Sequence, residues 1–108
     1  MKDITVLKRA RAFLLKPGGW TKGRLARDKK GREVPVTSRR AVSFCAVGAI
    51  CRVLKIDSQI LGQGTPAHDL LLPGTGETFV VDFNDKKGRT QAQVLKAFDR
   101  AIAKLEAQ

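Results

Sequence analysis

The chain has no tyrosine, one tryptophan, one histidine and one methionine, and only two of its 108 residues are cysteine. One histidine and two cysteines six positions apart, Cys45 and Cys51, match no zinc-type ligand spacing, so no metal is expected. On a helix, six positions are about 600° of rotation and roughly 9 Å of rise, too far for the two thiols to bridge. No third cysteine exists to pair with either. Both read as small buried hydrophobes in a reducing compartment. A membrane-spanning run is missing too. The most apolar stretch, residues 41–51, is eleven residues long, against the ~20 that a bilayer requires. The N-terminus carries charges early and has no apolar signal core, which points to a cytoplasmic protein. Gly62 and Gly64, and Gly74 and Gly76, lack the lysine and following helix of a phosphate-cradling loop. No cofactor is implied. With no repeat and no low-complexity linker, residues 1–108 read as a single domain.

Acidic residues are scarce as well, 10 against 21 lysines and arginines, for a formal net charge of +11. The imbalance is local. Residues 1–40 hold 13 basic and 3 acidic side chains, whereas residues 41–108 hold 8 and 7. A surplus confined to one segment favours a polyanionic partner, nucleic acid or an acidic protein face, over a general solubility device.

The chain reads as an α+β domain of three main helices, with a buried central helix, a basic hairpin and one short strand. Asp3 is a candidate N-cap for a helix over about 4–15, with Ile4, Leu7 and Leu14 on its apolar side and Lys8, Arg9, Arg11 and Lys16 opposite. Pro17, Gly18 and Gly19 stop it. Residues 20–36 read as a hairpin turning at Asp28-Lys29-Lys30-Gly31, with Pro35 restricting the second arm to a sheet edge. Trp20 reads as a core anchor. Residues 41–51 mix small and large apolar side chains, and a helix over 38–55 is expected around them, capped by Thr37 or Ser38 and buried nearly all round. Arg39 and Arg40 would then oppose the helix dipole in the first turn. A short helical turn is expected after Asp57 and Ser58. Residues 77–83, rich in β-branched and aromatic side chains, read as a strand. Thr90 and Gln93 form a capping box for a helix over 91–106, whose apolar residues Val94, Leu95, Phe98, Ala101, Ile102 and Leu105 would pack on the central helix.

Several residues taken together resemble a known family. They are Gly19 and Trp20, then Gly23, Ala26-Arg27-Asp28 and Gly31, then Ala41-Val42-Ser43-Phe44-Cys45-Ala46-Val47-Gly48-Ala49-Ile50. Asn84-Asp85, Gly88-Arg89-Thr90, Val94-Leu95 and Asp99-Arg100-Ala101-Ile102 follow. Over residues 19–102 the pattern is similar to a family of small bacterial and bacteriophage proteins of unknown function, which usually have Trp where this chain has Phe44 and Phe83. The resemblance implies a small α+β or mostly α domain and a phage or prophage setting in a bacterial cell. It implies no activity. On their own chemistry, Asn84 and Asp85 suit an Asx turn that braces a loop, and Arg89 suits pairing with Asp85 or Asp28.

Cys45, His68 and Asp82 or Asn84 follow the chain order of a Cys-His-Asp/Asn hydrolase. Against that reading, a thiol two turns into a buried helix would have a raised pKa. The expectation is therefore a non-enzymatic accessory protein. Its basic half binds nucleic acid through phosphate contacts from Lys22, Arg24, Arg27, Lys29, Lys30, Arg32, Arg39 and Arg40, with little sequence preference and strong salt dependence. The alternative partner for the same face is an acidic host protein such as a polymerase, nuclease or defence complex.

Overall fold

Val6, Leu7, Ala10 and Leu14 recur at three- and four-residue spacing, and all four are buried on one face of α1 (Asp3–Leu15). The computed structural model describes all 108 residues. After α1 come two short strands, β1 (Ala26–Arg27) and β2 (Ser43–Phe44), and then five helices. These are α2 (Ala46–Leu54), α3 (Gln59–Gln63), α4 (Pro66–Leu70), α5 (Val80–Asp85) and α6 (Gln91–Glu106). No helix is long and apolar enough to cross a membrane.

The buried central helix is real but shorter than the apolar run that announces it. Residues 46–51 are all buried, yet α2 begins at Ala46. The preceding residues are extended because β2 has ladder partners on both sides. Its register with β1 is antiparallel, Ala26 opposite Phe44 and Arg27 opposite Ser43. On its other side the 19–21 segment runs parallel, with Phe44 N–H donating to Gly19 C=O at 2.9 Å and Thr21 N–H to Phe44 C=O at 3.0 Å. A central strand of apolar residues and a buried helix look alike in sequence, and here the run is both. Cys45, not Thr37 or Ser38, is the N-cap, its Sγ accepting from Gly48 N–H at 3.2 Å. Ser38 instead closes a turn, accepting from Arg40 N–H at 3.1 Å. Arg39 and Arg40 therefore lie in that turn and oppose no helix dipole.

The hairpin expected over 20–36 is reduced to 26–34. Asp28 N–H donates to Arg32 C=O and Val34 N–H to Ala26 C=O, with Gly31 at φ +82° in the turn; residues 19–21 have crossed to the far side of β2. The strand expected over 77–83 is the helix α5. Val80 N–H donates to the buried His68 Nε2 at 3.0 Å, a tertiary tie, and Asp82 N–H turns back locally to Phe79 C=O at 3.2 Å; together they override β-propensity. Residues 68–72 likewise begin within α4 and join no ladder.

The remaining helices follow their signals. Ser58 caps α3 and Thr90 caps α6 with the full reciprocal box. Asp3 falls one residue inside α1, whose cap residue Lys2 makes no side-chain bond. α6 packs mainly on α1 rather than on α2, so α1 is the middle layer between them. Gln91 Nε2 fastens the two helices by donating to Leu14 C=O at 2.6 Å and Lys16 C=O at 3.2 Å, carbonyls that the end of α1 leaves open. Arg11 pairs with Asp99 through both carboxylate oxygens.

Gly48 sets how closely α2 meets the 25–27 segment. A Cβ there would fall 1.9 Å from Leu25 O and 2.7 Å from its carbonyl carbon. Backbone cannot swing aside as a side chain can. In a free helix Gly→Ala gains about 1 kcal/mol; Gly48→Ala is expected to cost at least about 2 kcal/mol, measured as a lowered midpoint in urea unfolding.

Candidate functional site

The polar residues divide into those consumed by the fold and those left free. Asn84 belongs to the first group. It is fully buried at the end of α5, and its Oδ1 accepts from Trp20 Nε1–H at 2.7 Å and Ala46 N–H at 3.0 Å. Its Nδ2 donates to Thr21 C=O at 3.1 Å and to Asp85 Oδ1 at 2.8 Å. Asp85 Oδ1 also accepts from Gly23 N–H at 3.1 Å. The Asn84-Asp85 pair thus ties the 20–23 loop and the first turn of α2 to α5. Trp20 is an anchor through both its ring and its N–H. Arg89 pairs with neither Asp85 nor Asp28. It donates to Phe83 C=O at 2.8 Å and lies 3.9 Å from the centroid of the Phe83 ring.

The Cys-His-Asp/Asn residues are engaged separately. Cys45 is buried, and burial pushes its thiol up to about 12 despite the Gly48 N–H; burial likewise pushes Cys51 up to about 11. His68 is buried between Asp69 Oδ1, 2.9 Å from Nδ1, and Val80 N–H on Nε2. That second bond requires Nε2 to be the unprotonated nitrogen. Asp82 is exposed, and Asn84 is held as described. No group of three or more His, Cys, Asp or Glu side chains is arranged to hold a metal ion.

Three of the eight basic residues singled out in the sequence are also spent internally. Arg27 donates to Thr21 Oγ1, Lys22 C=O and Gly31 C=O, bracing the turn from inside. Lys22 Nζ donates to Lys86 C=O at 2.8 Å. Arg24 reaches Gly23 C=O and lies 3.4 Å from Glu33. The other five, Lys29, Lys30, Arg32, Arg39 and Arg40, line one open cleft of about 290 Å³ with Asp28 and Val42.

Two local structures build that cleft. Asp28 Oδ1 accepts from the backbone N–H of Lys30 and Arg32, and Oδ2 from Arg32 Nε at 2.9 Å. The Arg32 N–H above all, then the Arg32 guanidinium and the Lys30 N–H, hold the Asp28 carboxyl below the usual carboxylate range. It stays ionised at neutral pH and spends its charge on the loop that presents Lys29 and Lys30. Facing it, the 36–40 turn is pinned by Arg52, whose Nη1 donates to Val36 C=O and Ser38 C=O at 2.7 Å each. Lys29, Lys30, Arg39 and Arg40 have no carboxylate within ion-pair distance. Four free cations face one opening.

A second basic group lies outside those eight positions. Arg9, Ala12 and Phe13 are spaced i, i+3 and i+4 on one stripe of α1, and Lys16 follows at its C-cap. With Arg52 and Val53 of α2 they line a cleft of about 450 Å³. Lys8 and Arg11, also on α1, turn instead to Glu106 and Asp99 of α6.

A small basic α+β domain with a fully hydrogen-bonded polar interior and unpaired cations on one side is the class that this geometry defines. The chain belongs to a family of unknown function (DUF6197), whose model matches residues 1–104 and so includes α1. No curated protein and no solved structure matches it.

Two outcomes follow from the buried groups. Asn84→Ala leaves Trp20 Nε1–H, Ala46 N–H and Thr21 C=O short of a partner and is expected to cost about 3 kcal/mol or more in denaturant unfolding. Neither thiol is expected to react with iodoacetamide at pH 8 in the folded protein, since burial keeps both protonated there; both label in denaturant. The unfolded thiols ionise near their ordinary pKa while the folded ones stay protonated. Stability should therefore fall as pH rises above about 8.5, by up to ~1.4 kcal/mol per pH unit for each thiol. Rapid native labelling would contradict the burial.

Proposed function

We propose that this protein binds a polyanion, nucleic acid first, through phosphate contacts from Lys29, Lys30, Arg32, Arg39 and Arg40. The observation that carries the reading is the cleft between the Asp28 loop and the 36–40 turn, where four cations have no ion-pair partner. Unpaired cations gathered on one rigid face concentrate positive potential, and that favours a ligand with regularly repeated negative charge. Of the eight basic positions in the sequence pattern, Arg27 braces the turn that carries this face, while Lys22 and Arg24 are engaged elsewhere in the fold. The cleft has no aromatic side chain and no helix directed into it, so phosphates and not base edges are the recognition element. The cytoplasmic, phage or prophage setting suggested by the sequence resemblance is part of this proposal, with the protein acting as a non-enzymatic accessory.

Val42 supports a second reading. It is 48% exposed among the cations of the cleft, and an apolar spot ringed by positive charge also suits an acidic protein surface. Pull-down from bacterial lysate treated with nuclease separates the two, since a protein partner survives the treatment and a nucleic-acid bridge does not.

The direct test is fluorescence anisotropy with labelled DNA and RNA oligonucleotides from about 50 to about 200 mM salt, where several phosphate contacts produce a steep loss of affinity. Lys29→Gln, Lys30→Gln, Arg39→Gln and Arg40→Gln combined alter exposed side chains only and should leave folding intact. Their expected effect is a reduction of the log–log salt slope by about 4, close to 1 for each phosphate no longer neutralised. An unchanged slope would overturn the proposal.

A further inference from the structure

The cleft between α1 and α2 differs in chemistry from the one just described. Its floor is hydrocarbon. Ala12 is exposed and too small to fill the space, Phe13 is half-buried with its ring 5.4 Å from that of Phe44, and Val53 closes the α2 side. Its rim is cationic, with Arg9 on α1, Lys16 at the C-cap of α1 and Arg52 on α2. Lys16 Nζ and the Arg52 guanidinium each lie 5.7 Å from the Phe13 centroid. No acidic residue lines the cleft, and none of the three cations is ion-paired. Its volume of about 450 Å³ falls in the ~300–1,000 Å³ range of small-ligand sites. A flat apolar floor beneath several unpaired cations fits a ligand with a flat unsaturated part and negative oxygens at its edge. A nucleoside phosphate has that form.

Arg52 connects this cleft to the first. The same guanidinium that stands over Phe13 holds Val36 and Ser38, the base of the turn carrying Arg39 and Arg40. A further opening, lined by Thr37, Arg52 and Lys55, shares Arg52 with the α1–α2 cleft.

From this geometry we infer that the α1–α2 cleft is a base-binding subsite, and that the nucleic acid taken up is single-stranded. An unpaired base rests on Ala12, Phe13 and Val53, while the flanking phosphates meet Arg9, Lys16 and Arg52. The inference rests on the nucleic-acid reading above and adds the strand type. A duplex keeps its bases stacked inside and can offer only phosphates to such a floor, whereas a single strand can turn a base outward. Because every base has a flat face, this subsite adds affinity with little sequence preference.

The test compares three labelled probes at fixed salt: a single-stranded oligothymidylate of about ten nucleotides, an abasic strand of equal length and charge, and a duplex. The oligothymidylate is expected to bind about tenfold more tightly than the abasic strand, the typical worth of one stacked base. Ala12→Glu places a carboxylate on the exposed floor between Arg9 and Lys16, suits a helix, and leaves the core untouched. Its charge penalises all probes alike. The preference for oligothymidylate over the abasic strand is expected to collapse towards 1, with circular dichroism confirming the fold. Equal binding of abasic and normal strands by the unaltered protein overturns the subsite. So does a preference that survives Ala12→Glu. If in either case the fourfold cleft variant still loses binding, the phosphate-binding reading stands without the subsite. Absence of binding to all three probes overturns both.

Discussion

Four hydrogen bonds to one buried side chain hold the non-helical half of this protein in place. Asn84 is reached by Trp20 from the segment beside β2, by Ala46 from the first turn of α2, and it reaches Thr21 and Asp85 in return. Its amide has two donors and an acceptor with two lone pairs, and all are used. A buried polar group is favourable only when it is satisfied this completely. No buried side-chain nitrogen or oxygen in the chain lacks a partner. The consequence is a frame in regions that contain little regular secondary structure: side chains fix the 20–23 segment to α2 and α5, and backbone hydrogen bonds tie β2 and β1 to that segment in turn.

That frame explains how so short a chain presents opposed basic loops. Arg27 braces the 28–32 turn from within, Asp28 organises its backbone, and Arg52 pins the 36–40 turn. Each is a charged group used structurally so that other charged groups can stand free. Like charges brought together repel, and a loop stabilised only by its own contacts would spread to relieve that repulsion. Arg52 serves twice, since its guanidinium also lies 5.7 and 5.8 Å from the ring centroids of Phe13 and Phe44. The fold and the proposed binding surface share that residue.

Much of the architecture could be read from the sequence because its signals were local. The Thr90 and Gln93 box, the apolar spacing of α1, the Pro17-Gly18-Gly19 stop and the Asp28–Gly31 turn depend on neighbours within a few residues. What escaped depended on distant partners. Nothing local says that residues 43–44 find strands on both sides and that the helix must wait until Ala46. Val80 joins a helix rather than a strand because His68 accepts its N–H. The cationic surface was legible as a surplus in residues 1–40, but not the division within it. Lys22, Arg24 and Arg27 have the same residue types and spacing as the free cations, and only tertiary contacts show which are spent. Arg52 lay outside the surplus altogether, and the grouping of Arg9, Ala12, Phe13 and Lys16 gains its meaning only from the α2 wall that faces it.

The proposal is that two cationic clefts, joined through Arg52 and the turn it pins, receive nucleic acid. It is tested most directly by following backbone amide signals in a two-dimensional NMR titration with a short single-stranded oligonucleotide. The account predicts shifts confined to residues 28–32, 39–42, 9–16 and 52–55, while the exposed Lys96, Arg100 and Lys104 of α6 stay still. Shifts centred on α6, or none at any residue, would contradict it.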